Sequence, residues 1–196
     1  RTGHRYGFNY ELNGVGRDFI TRSGFVNRDD IVNGRAFNRF TYYGSPGATI
    51  ERINTVSTIN RTWAHADFRL DDAIEGSETL NTTARMRGGW ELGLNLRRNF
   101  WVLDPADYAG LVTTGEDGLI PYAPLEEVTG PRVELNASTP AFRRMNANAS
   151  VSRSRAPIFA EGSRGDIASA SASLSLRPHE SVRLSLSNTY QRITRA

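Results

Sequence analysis

Cysteine and lysine are both absent from this chain of 196 residues. Without cysteine there is no disulfide framework and no thiolate metal site, whatever the compartment. Without lysine, all 24 basic residues are arginine, a bias that codon usage in a GC-rich genome produces by itself. The arginines are interspersed with 21 acidic residues, for a net charge of +3. A nucleic-acid binder gathers its arginines on one patch, so no nucleic-acid partner is expected. Histidine occurs only as His4, His65 and His179. None is at ligand spacing from another, so neither a metal nor a cofactor is expected. Gly14-Val15-Gly16 does not continue to the third glycine of a dinucleotide cradle. Long apolar runs are missing too. None approaches the ~18 residues of a spanning helix, and mean hydropathy is −0.47. These values disfavour a helical membrane protein. A β-barrel escapes the test, because alternate residues of its strands face a polar interior.

What is present is a period of two. Leu80, Thr82, Ala84 and Met86 alternate with Asn81, Thr83, Arg85 and Arg87. Trp90, Leu92, Leu94 and Leu96 then alternate with Glu91, Gly93, Asn95 and Arg97. Such alternation puts one set on each face of a β-strand. The apolar set is bounded by Trp90 at one end and by Phe100 with Trp101 at the other, an aromatic girdle in outline. Ten steps at ~3.4 Å give ~34 Å of strand, which at a tilt of ~40° rises roughly 26 Å, close to the ~25 Å apolar band of an outer-membrane barrel. The connection is predicted as the loop Arg87-Gly88-Gly89, which sets Met86 opposite Trp90 and Leu80 opposite Leu96 and keeps like faces together.

The same design recurs along the chain. Tyr6, Phe8, Tyr10 and Leu12 alternate with Arg5, Gly7, Asn9 and Glu11. Residues 13–34 read as a polar plug or rim loop, 36–43 as a strand, and 49–70 as one long strand with a bulge near Asn60. From 103 to 131 the periodicity disappears and a long loop is predicted. Strands follow at 132–138, 142–153, 168–176 and 182–190, the last two joined by a Pro178-His179-Glu180 turn that pairs Leu174 with Leu184. The count is about nine. The chain starts at Arg1 without a signal peptide and ends at Ala196 straight out of a strand-like run. Residues 1–196 are therefore read as a single all-β domain, an antiparallel transmembrane barrel of outer-membrane type, present as an incomplete fragment.

One segment goes beyond pattern. Gly16, Asp18 and Phe19, then Gly24, Phe25, Val26, Arg28 and Asp30, fall at matching spacing to a motif of an uncharacterised bacterial family, with Arg17 where that family has proline. The segment resembles this family, whose members join a carbohydrate-binding module similar to family nine to a C-terminal outer-membrane barrel. The resemblance implies a location in the bacterial outer membrane and a glycan or polymer ligand held by a module outside this chain. It implies no activity.

The expected role is the membrane anchor or conduit of a larger surface protein, with outer-membrane lipid as its partner and transport or carbohydrate handling as its context. The alternatives are an outer-membrane hydrolase with a rim active site and a soluble all-β binding or adhesive protein. No catalytic residue is assigned. The one pair worth naming for a hydrolase is His65 with Asp67. The alternation assigns Arg5, Glu11, Arg85, Glu91, Arg97 and Arg183 to the polar, lumen-lining face. If that lumen conducts, its arginines favour anions.

Overall fold

The computed structural model describes residues 3–20, 28–66, 68–115, 118–122, 127–158 and 163–195. Alternating, β-branched and aromatic-rich stretches become strands, and glycine, proline and acidic stretches become the connections. The strands are β1 (Tyr6–Val15), β2 (Ile31–Tyr43), β3 (Ile50–Ala64), β4 (Glu75–Met86), β5 (Glu91–Val102), β6 (Val112–Gly115), β7 (Gly118–Pro121), β8 (Glu127–Ser138), β9 (Met145–Ile158), β10 (Ser163–His179) and β11 (Val182–Arg195). Nine of them form one antiparallel sheet in the order β1-β2-β3-β4-β5-β8-β9-β10-β11, an unbroken meander. The sheet is not closed: β1 and β11 are its edges among the described residues. Between β5 and β8 the chain makes a short 3-10 turn at Pro105–Tyr108 and the separate hairpin β6–β7.

The connections divide by length. One rim carries the short ones, 44–49, 87–90, 139–144 and 180–181, and the other carries 16–30, 65–74 and 103–126 besides 159–162. At the β4–β5 turn, Gly88 and Gly89 have φ of 85° and 87°, the Met86 N–H donates to the Trp90 carbonyl at 2.8 Å, and Ala84 faces Leu92. This is the register that the face argument requires. A Cβ at Gly88 meets nothing closer than 3.9 Å, so the positive φ alone resists substitution. Gly88→Val is expected to lower stability by about 1–2 kcal/mol, read as a shifted denaturant midpoint with an unchanged slope.

Several boundaries differ from the sequence reading. The expected plug or rim loop 13–34 shrinks to 16–30, because Asn13, Gly14 and Val15 of β1 pair with Asn33, Val32 and Ile31 of β2. β3 ends at Ala64, not at Leu70, and its register shift lies between Ile50 and Arg52, not near Asn60. There the Trp63 indole donates to the Leu70 carbonyl at 3.3 Å and meets Phe68 edge-on, folding the alternating residues after Ala64 back as a loop. β8 begins at Glu127, inside the segment expected to be loop. Pro131 is tolerated because the β8–β9 ladder stops at Arg132, so the missing donor faces no partner strand. In the last hairpin Leu174 pairs with Leu186, and Leu176 with Leu184. Arg177 and Pro178 together oppose Arg183, a bulge placed where proline cannot donate.

Directly opposed residues share a face. The registers carry one row through Phe8, Asn38, Ser57, Leu80, Leu96, Val133, Arg153, Ala168 and Arg192, and the next through Tyr6, Phe40, Thr55, Thr82, Leu94, Leu135, Val151, Ala170 and Tyr190. Among the described residues this apolar face has no second layer over it: Leu135, mid-sheet, is 53% exposed and Leu186 is 70% exposed. Among the described residues the buried apolar side chains are Ile31, Val32, Trp63 and Val128, all at the long-connection rim.

Candidate functional site

The opposite face of the sheet is built mainly from hydroxyl and amide side chains, joined across neighbouring strands. The Thr62 hydroxyl donates to Asn33 Oδ1 at 2.9 Å, and that of Thr41 to Asn54 Oδ1 at 2.9 Å. The Asn60 amide donates to Ser77 Oγ at 2.9 Å and the Asn95 amide to Asn81 Oδ1 at 2.6 Å. Farther along, the Ser150 and Ser171 hydroxyls are 2.9 Å apart. Each bond stabilises the ladder and still leaves donor and acceptor positions open on the same groups. A cavity of about 560 Å³ opens here, with Thr83, Glu91, Asn136, Asn148, Ser171 and Thr189 in its lining. Its size is that of a small-molecule site, and its chemistry suits neutral, polyhydroxylated solutes or water.

Of the residues assigned to the lumen from alternation, Glu11, Arg85, Glu91 and Arg97 share this face by strand register. Arg85 directly opposes Glu91, and its Nε lies 4.0 Å from a Glu51 carboxylate oxygen. Arg97 donates to Asn99 Oδ1 at 3.0 Å. Glu11 opposes Arg35 and accepts from the Asn9 amide. Arg183 stands beside the Arg177-Pro178 bulge. Arg5 precedes β1, where its carbonyl accepts from the Thr41 N–H at 2.7 Å. Glu91 and Glu134 sit on adjacent strands four positions out of step, because Glu134 faces Asn95. Their backbones are about 14 Å apart, and both side chains line the same cavity.

Comparisons with protein-family models, with curated proteins and with solved structures find no match.

Of the motif segment, Gly24, Phe25 and Val26 lie outside the described residues, as does Asp67, the partner considered for His65. The Phe19 N–H donates to the Gly16 carbonyl at 3.1 Å, closing a turn. Arg17 pairs with Asp30 at 2.9 Å, and Arg28 with Glu75, the first residue of β4, at 3.0 Å. Asp18 lies in that exposed turn, and Phe19 is 53% exposed. The two ends of the segment are thus tied to each other and to the rim. Asp30 has φ 54°, and its carbonyl accepts from the His65 N–H at 2.8 Å. Among the described residues no serine hydroxyl bonds the His65 imidazole, and no cluster of three metal-ligating side chains occurs.

The aromatic girdle splits. Trp90 packs edge-on against Phe142 at 6.3 Å near the short-turn rim. Phe100 shares its face, but Trp101 turns to the polar face between Glu75 and Val128. Sequence reasoning also missed a charged cluster on the apolar face. Glu78 directly opposes Arg98, pairs with Arg61, and both guanidinium groups lie over Phe100, at 5.1 and 5.8 Å. The available signal was the doublet Arg97-Arg98, which puts a charge on each face of one strand.

Proposed function

We propose that this chain is the membrane-spanning sheet of an outer-membrane-type β-barrel, serving as anchor or conduit of a larger surface protein. One observation carries the reading: a mainly apolar face that crosses nine strands and, among the described residues, has no second layer over it. Burying a large apolar side chain gains about 1.5–3 kcal/mol, so about ten of them left half exposed forgo roughly 8–15 kcal/mol. That equals the whole net stability of an ordinary domain, about 5–15 kcal/mol. Hydrocarbon around the sheet removes the deficit. The division into short and long connections supports the same reading, since barrels of this class have short turns at one rim and longer loops at the other.

Parity adds a constraint. In a nine-stranded meander the first and last strands run the same way. Closure by antiparallel pairing therefore takes an odd number of further strands, which agrees with the even totals of bacterial single-chain barrels. The hydroxyl- and amide-lined face supports passage or binding of polar, uncharged solutes, and with the motif resemblance it favours a carbohydrate or polymer context.

Detergent dependence tests the reading. The protein is expected to stay folded and monodisperse in detergent or lipid and to aggregate when both are removed. Stable folded protein in plain buffer would return the apolar face to a soluble assembly.

A further inference from the structure

Toward the long-connection rim the apolar face changes character. Arg98 on β5, Arg153 and Arg155 on β9, Arg164 on β10 and Arg192 on β11 all share the face of Leu96, Val151 and Leu186. Their acidic companions on that face are Glu78, which opposes Arg98, Glu127 and Asp166. Arg98 lies 3.6 Å from the Glu127 carboxylate, and Arg164 donates to the Glu127 carbonyl at 3.1 Å. Arg153 and Arg155 both bond Asp166, at 3.1 and 3.3 Å. Arg192 has no hydrogen-bond or ion-pair partner among the described residues. Arg153 and Arg192 flank Ala168 in one row, two strand spacings or ~10 Å apart. The short alanine leaves a slot that two long guanidinium side chains can close from either side.

On the same face, one row beyond this slot toward the short-turn rim, runs an apolar groove of about 440 Å³. Ala147, Ala149 and Ala172 form its floor, and Trp90, Leu174 and Leu186 rise beside it. Ala172 lies four residues from Ala168, ~13 Å along the strand. An apolar groove followed, across the row of Val151, Ala170 and Tyr190, by a cationic slot matches the length and charge of an anionic amphiphile.

We propose that this face binds a phosphate-bearing membrane lipid, with an acyl chain along the alanine floor and the phosphate between Arg153 and Arg192. Guanidinium groups hold phosphate oxygens in bidentate fashion. The inference rests on the membrane reading above, and the long-connection rim places the lipid in the outer leaflet.

The test uses the full chain in phosphatidylcholine vesicles, with and without one-fifth phosphatidic acid as the phosphomonoester probe. Insertion is followed by protease protection, and lipid retained after detergent extraction is counted by native mass spectrometry. Wild type is expected to retain phosphatidic acid in preference to phosphatidylcholine. The pair Arg153→Gln with Arg192→Gln should weaken retention roughly 25-fold, at about fivefold per arginine. Arg35→Gln with Arg39→Gln, on the opposite face, should change it less than twofold. Ala172→Phe, which fills the groove and keeps every arginine, should also lower retention. Equal loss in the Arg35/Arg39 control, or full retention by the Arg153/Arg192 pair or by Ala172→Phe, overturns the proposal. Insertion into both vesicle types without lipid preference defeats it while the membrane reading stands. Failure to insert into either defeats both.

Discussion

Leu94→Arg is expected to destabilise the lipid-inserted protein by about 2–4 kcal/mol, a roughly 30- to 1,000-fold fall in the folded-to-unfolded ratio at ~1.4 kcal/mol per tenfold. Leu94 stands mid-strand on the apolar face, with Thr82 and Leu135 directly beside it. If this face meets lipid, as proposed, a charge there must be carried into hydrocarbon. The neighbouring Asn95→Arg falls on the other face and loses one hydrogen bond to Asn81, worth about 1 kcal/mol. Denaturant unfolding from vesicles compares the two. In a soluble sheet with this face in water the first substitution would stay within about 0.5 kcal/mol, so two similar values would speak against lipid contact.

Trp63→Ala should cost about 3–5 kcal/mol, the range for deleting a buried aromatic. Trp63 is only 6% exposed in a sheet that buries very little. Its ring lies against Gly34, where an added Cβ would come within 2.7 Å of it, and it meets Phe68 at 5.4 Å. Removing it opens a void and also releases the Leu70 carbonyl that its indole N–H caps. Two readouts are expected to move together: the unfolding midpoint, and amide exchange through residues 68–74. Loss of stability with unchanged exchange there would mean that the 65–74 connection is held by something other than this indole.

Legibility in the sequence followed what a period of two encodes. The face of Leu92 or Glu91 depends only on parity, so the polar-face residues and the β4–β5 register could be read directly. The last hairpin could not. Pairing Leu174 with Leu186 instead of Leu184 is a slip of two residues, which leaves every side chain on its own face. Only the bulge at Arg177-Pro178 distinguishes the two registers, and alternation does not register a bulge at a strand end. The stretch from Ala64 to Leu70 failed for the opposite reason. It alternates well, but a tertiary contact, the Trp63 indole on Leu70, outweighs the local pattern. The arginines of the apolar face were passed over because each breaks the alternation singly. Arg61, Glu78 and Arg98 form a cluster only once three strands are laid side by side.

The shared direction of β1 and β11 bears on how copies of this chain meet. Molecules inserted from the same side of a membrane keep their strands pointing the same way. An edge of one would then meet the opposite edge of its neighbour in parallel, the slightly weaker pairing per residue. Antiparallel joining of like edges requires one copy upside down, with its long connections on the wrong side. On the membrane reading, strand direction alone therefore weighs against sister sheets sealing one another's edges.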